Sequence, residues 1–256
     1  MQTIKNMLGF TMSATDGEIG KVEDFYFDDE TWTIRYLVVE TGNWLLDRKV
    51  LIAPQALLAC DWENETFPVN LTKEQIKNSP DIDTDKPVSR QHEMELYAHY
   101  PWANYWGGGI WPGGMDTTGI MLPMPSVPME ESVKSSKNNP GDNADGNPHL
   151  RSAKNLQSYY IHALDDTIGD VEDFIVDDSN WTIHYMIVDT GKWLPGKKVI
   201  LSPNLIKEIN WETSEVIIKA SVDQVKNSPE YDASKQLSTE YDTNLKNYYN
   251  GFISHK

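Results

Sequence analysis

The chain has 256 residues, enough for two domains of ordinary size, and a net charge of −17. Its charge is negative throughout, with 9 basic against 18 acidic residues in 1–100, 2 against 5 in 101–150 and 11 against 16 in 151–256. This counts against nucleic acid or anionic lipid as a partner, since either needs clustered Lys and Arg. A hydrophobic content of 39%, with nine Trp and twelve Tyr, counts against wholesale disorder.

A single cysteine allows no internal disulfide. No run approaches the ~18–20 apolar residues of a membrane span. Residues 1–10 lack the long apolar run and small-residue cleavage site of a signal peptide, so cytoplasm is the expected compartment.

In chain order, Asp16-Gly17 marks a tight hairpin. Residues 22–27 and 34–39 are rich in β-branched and aromatic side chains and read as strands. Asp28-Asp29-Glu30-Thr31 between them is turn chemistry. Thr41-Gly42-Asn43 makes the next turn, and residues 49–52 form a further strand that stops at Pro54. The apolar positions Val22, Phe25 and Phe27 break strict alternation, which a β-bulge near Glu23-Asp24 would restore. Thr72-Lys73-Glu74-Gln75 fits a capping box that opens about one helical turn before Pro80. An amphipathic helix follows Ser89.

The whole pattern then recurs. An offset of 149 residues aligns the halves without a gap from Asn6 to Tyr100, with roughly two-fifths of positions 16–80 identical. IGKVEDFYFDDETWTIRYLVVETGNWL from Ile19 becomes IGDVEDFIVDDSNWTIHYMIVDTGKWL from Ile168. Trp32, Trp44 and Trp62 match Trp181, Trp193 and Trp211, Ser221-Val222-Asp223-Gln224 repeats the capping box, and a second helix follows Ser238. A period this long indicates duplicated domains. The expected organisation is residues 1–100 as one domain, 101–153 as a flexible linker rich in Trp, Gly, Pro and Met, and 154–256 as the second. Short strands in so little chain must nearly close to hide their edges, so the expected fold is mainly β, two tandem small barrels each followed by short helices.

The stretch Ile19-Gly20-Lys21-Val22-Glu23-Asp24-Phe25, followed by residues 34–42 (IRYLVVETG), resembles the PRC-barrel family. Leu71-Thr72-Lys73-Glu74-Gln75-Ile76, Asn78-Ser79-Pro80 and Pro87-Val88-Ser89-Arg90 resemble the tail of its stand-alone bacterial members. The second copy departs late, with Lys235-Gln236-Leu237-Ser238 where the first has residues 84–90. The resemblance implies a six-stranded barrel in each copy, like that of the photosynthetic reaction-centre H subunit and of a ribosome-maturation factor. In both, the barrel is a protein-contact module that performs no reaction. The expected function is therefore a non-catalytic protein-binding or assembly module whose partner is a protein. The alternative is a peripheral subunit of a membrane photosynthetic or redox complex. Duplication also allows the two barrels to pair within the chain.

No residue pattern suggests a catalytic site, a metal or a cofactor. The acidic pairs Glu23-Asp24 and Asp28-Asp29, repeated as Glu172-Asp173 and Asp177-Asp178, lack the ligand spacing of a calcium loop. The histidines form no ligand set, and Cys60, which aligns with Ile209, reads as a small buried hydrophobe. Tryptophans are the candidate contact residues. Trp32 and Trp181 at strand starts and Trp44 and Trp193 just past turns are expected at barrel rims, and Trp102, Trp106 and Trp111 lie in the linker.

Overall fold

The computed structural model describes residues 1–80, 90–100, 149–191, 198–232 and 237–253. The chain forms two compact units, residues 1–77 with 149–256, and residues 78–148. The first unit holds the strands of both copies.

In the first copy, β1 (Gln2–Thr3) and α1 (Ile4–Met7) precede β2 (Thr11–Ala14), β3 (Gly17–Asp28) and β4 (Thr33–Glu40). A 3₁₀ turn (Gly42–Leu45), β5 (Lys49–Ile52), β6 (Thr66–Pro68) and α2 (Lys73–Lys77) complete it. In the second unit the described helix is α3 (Arg90–His99), where the sequence after Ser89 predicts one. The second copy repeats the order: β7 (Leu150–Ser152), α4 (Ala153–Leu156), β8 (Tyr160–His162), β9 (Thr167–Asp177), β10 (Thr182–Asp189) and β11 (Lys198–Leu201). Then come β12 (Ile206–Asn210), β13 (Glu215–Ile218), α5 (Val222–Lys226) and α6 (Thr239–Ile253). Strand β7 and helix α4 begin inside the stretch 101–153 that the sequence reads as linker.

Each copy builds a curled, mainly antiparallel sheet. β2, β3, β4 and β5 pair in sequence and β6 adds parallel to β2. β8, β9, β10 and β11 repeat this, with β13 parallel to β8. The copies differ at the last strands. The second has a β12–β13 ladder, where the first has only the isolated bridges Leu57↔Val69 and Asp61↔Thr66. Among the described residues no ladder joins β5 to β6 or β11 to β12, so both sheets curl without closing.

The bulge lies where the apolar spacing predicts it. Register passes from Val22↔Val39 directly to Asp24↔Val38, leaving Glu23 as the extra residue, and Glu172 is skipped in the same way. Burial of the consecutive residues Phe25, Tyr26 and Phe27 shows that both faces of β3 are covered, because neighbouring side chains on a strand point to opposite faces. Gly20 and Gly169 permit a close approach before the bulge. A Cβ there would lie 1.9 Å from the carbonyl oxygens of Glu40 and Asp189, so only hydrogen fits.

Both capping boxes form. Gln75 N–H donates to the Thr72 hydroxyl at 3.2 Å while the Gln75 side chain accepts from Thr72 N–H at 2.8 Å; Ser221 and Gln224 repeat the pair at 3.3 and 2.8 Å. Helix α6 is tied to the second copy by the Tyr248 hydroxyl on Gln224 O at 2.7 Å and by the Tyr185 hydroxyl on Asp242. Burial, with Asp242 opposite, pushes the Tyr185 phenol up. Asp242 stays below the usual carboxylate range despite its own burial, because Lys246 at 2.7 Å and the Tyr185 hydroxyl favour the charged form.

Candidate interaction surface

The two copies hold each other by exchanging their leading segments. β1 pairs with β9 of the second copy (Gln2↔Val176, Thr3↔Ile175), and β7 pairs with β3 of the first (Tyr26↔Ser152, Phe27↔Arg151). Thr3 then caps α1 by accepting from Asn6 N–H at 3.3 Å, and Ser152 caps α4 from Asn155 N–H at 3.0 Å. Each short helix thus presents its unpaired N–H groups to a bulge of the opposite copy. Where the arms end, β4 and β10 meet at Thr33↔Thr182, flanked by Ile34 N–H on Trp181 O and Ile183 N–H on Trp32 O, both 2.7 Å.

Each acidic pair has a member occupied by these arms. Asp173 accepts from Lys5 N–H at 3.1 Å and from Phe174 N–H at 2.8 Å. Asp24 accepts from Lys154 N–H at 3.0 Å, the Ser152 hydroxyl at 2.5 Å and Phe25 N–H at 2.7 Å. Burial raises the carboxyls of both Asp24 and Asp173 above the ordinary value of 3.8, and the donated hydrogen bonds pull the other way. The bulge glutamates face the arm lysines, Glu172 with Lys5 at 3.5 Å and Glu23 with Lys154 at 3.4 Å. Glu23 is held low chiefly by its hydrogen bond to Lys49. Asp29 takes His149 Nδ1 and Arg151 Nε, each at 3.0 Å, and Asp178 takes the Met1 amine at 3.1 Å. Asp28 serves its own turn, accepting from Glu30 N–H, Thr31 N–H and the Thr31 hydroxyl. Among the described residues, no three His, Cys, Asp or Glu side chains converge as a metal site.

The predicted contact tryptophans fall in three different places. Trp32, expected at an exposed rim, is 9% exposed and stacks on Phe27, whose ring meets Phe174 of the second copy at 6.2 Å. Trp181, half-buried, crosses the seam to lie 6.4 Å from Phe25 and 5.9 Å from Phe67. Both adopt left-handed backbone, φ 54° and 59°, which is costly for a bulky residue. Trp44 is half-buried in a groove on the outer surface. Trp193, Trp102, Trp106 and Trp111 lie outside the described residues. Cys60 is half-buried, and burial together with Asp178 and Asp61 pushes its thiol up to about 11.

The groove at Trp44 has a volume of about 590 Å³ and is lined by Glu18, Gly20, Lys21, Glu40 and Asp47. The Trp44 indole N–H is fixed on Ile19 O, and Lys73 Nζ stands 4.4 Å over its ring. Thr41 and Arg48 close the loop, through the Thr41 hydroxyl on Arg48 O at 2.6 Å and Asp47 N–H on Gly42 O at 2.9 Å. At its tip Leu46 is 92% exposed, and Leu46 and Asp47 are both left-handed at φ 56°. In the second copy the sequence has Pro195 and Gly196 at these positions.

Residues 10–76 match the PRC-barrel domain family. The PRC-barrel match runs from the residue before β2 through β6 and most of α2, so it contains the bulge, the left-handed tryptophan and the Trp44 loop. It leaves out the arm of β1 and α1 that crosses to the second copy. Among curated proteins none matches the chain.

The arms are the residues that sequence reasoning missed. Their signal is faint but present: Thr3-x-Lys5-Asn6 and Ser152-x-Lys154-Asn155 repeat at the same 149-residue offset, each a hydroxyl cap followed by a lysine.

Proposed function

We propose that this chain is a non-catalytic interaction and assembly protein, built from two PRC-type barrels of which the second copy is the unmatched member. On this reading the seam joins the barrels and the outer loops meet another protein; the chain binds no cofactor and works in the cytoplasm. The observation that carries the proposal is the Gly42–Leu45 turn and its tip. An apolar Leu46 held in water beside a pinned tryptophan, on strained backbone that a glycine would relax, is what a contact loop requires. Among the described residues the acidic pairs are taken up by the arms and turns.

The test is affinity capture from the native extract with wild-type protein and with Leu46→Asp, each analysed by mass spectrometry. A protein captured reproducibly by the wild type and lost with Leu46→Asp supports the reading. Identical capture by both, or none by either, would overturn it.

A further inference from the structure

The contacts across the seam come in reciprocal pairs: arm on bulge, lysine on glutamate, backbone N–H on buried aspartate, isoleucine N–H on tryptophan carbonyl. A surface in which residue i meets j and j meets i is isologous, the form taken by a two-fold homodimer interface. We propose that the arm-and-bulge seam is a self-recognition surface whose partner is a second copy of the same module, so that halves of this chain pair in trans as they do in cis. The proposal rests on the assembly reading only in supplying its partner class.

The chemistry survives transposition. Both arms carry a hydroxyl cap and a lysine, Thr3 with Lys5 and Ser152 with Lys154, and both bulges carry a glutamate followed by a buried aspartate. In a pair of second halves, Lys154 meets Glu172 and Arg151 approaches Asp178, opposite charges in each case. In a pair of first halves, Lys5 meets Glu23, and Thr3 stands where Ser152 bonds Asp24. The aromatic packing is less symmetric. Trp181 rests on Phe25 and Phe67, whose counterparts in the second copy are Phe174 and Val216, so a pair of second halves loses one ring contact. A pair of first halves, with Phe67 on both sides, gains that contact, so the rings rank first-half pairs above unlike pairs and unlike pairs above second-half pairs. In the intact chain the tether favours the unlike pair, because a linked partner is present at an effective concentration of order mM.

The experiment cuts the folded full-length protein at a protease site placed within residues 101–148 and follows the halves by native mass spectrometry. The cut halves should stay together as one unlike pair. After joint unfolding and refolding, three pair masses should appear, unlike pairs beside both kinds of like pair. Trp181→Ala should deplete pairs of second halves more than unlike pairs, since it removes an indole from both sides of the former and from one side of the latter. Lys154→Glu, a change on an exposed side chain, should deplete pairs of second halves, where two such residues face Glu172, more than unlike pairs, where one faces Glu23. Halves that part on cutting, or a refolded mixture without like pairs, would overturn the proposal. No outside partner enters this test, so its failure leaves the Leu46 capture result standing, and the reverse also holds.

Discussion

At the seam the two copies have kept one chemistry: Thr3 and Ser152, Lys5 and Lys154, Glu23 and Glu172, Asp24 and Asp173, Trp32 and Trp181. At the loop beside Trp44 they have parted, Leu46-Asp47 in one and Pro195-Gly196 in the other. The difference follows from what each surface faces. A seam residue must suit its counterpart in the same molecule, so a change on either side strands a buried donor or an unpaired charge. A loop facing water is restrained only by its own fold and by whatever binds it. The first copy holds Asp47 left-handed, and the second sequence has at that position Gly196, the residue type that tolerates such backbone.

The comparison can be broken most forcefully at the tryptophans. Trp32→Ala and Trp181→Ala should each cost about 3 kcal/mol in urea unfolding, the usual toll of removing a packed indole. A loss below about 1 kcal/mol would mean that the rings do not hold the copies together. Asp24→Ala comes next, at about 2 kcal/mol, because the N–H groups of Phe25 and Lys154 lose their acceptor. Asp24→Asn keeps an oxygen and should be tolerated. Its pH profile gives a sharper reading. With its carboxyl raised by burial, folded Asp24 binds a proton more tightly than the unfolded chain does. Its contribution to stability is therefore greatest below the ordinary value of 3.8 and declines as pH rises through the raised one. Asp24→Asn, neutral throughout, should gain stability relative to the wild type between acid and neutral pH; a constant difference would show that the carboxyl is not desolvated. The smallest effect belongs to the loop. Asp47→Gly should raise thermal stability by up to about 1 kcal/mol through relief of the left-handed backbone, and a clear loss would show that the loop is not strained.

The strands from 22 to 52, the bulge at Glu23, both capping boxes and the helices after Ser89 and Ser238 were legible because each rests on neighbours in sequence. A capping box needs four residues and a bulge shows as a break in alternation. The arms were not legible. A strand of two residues such as Gln2–Thr3 has no period to detect, and its pairing partners lie in the other half of the chain. Trp32 and Trp181 were read as rim residues because a tryptophan after an acidic turn gives no sign of positive φ. The turn hydrogen bond from Trp32 N–H to Asp28 O and the bond from Ile183 N–H to Trp32 O set that geometry together.

The amino-acid sequence by itself carried the 149-residue repeat, and it determined the strand-forming segments and the acidic turns and bulge between them, since these last depend on local spacing and side-chain type. Only the tertiary structure decided what the acidic pairs and the paired tryptophans are for. The arms that meet Asp24, Asp29 and Asp173 come from segments about 120 to 170 residues away, and local propensity carries no information about contacts made at that range.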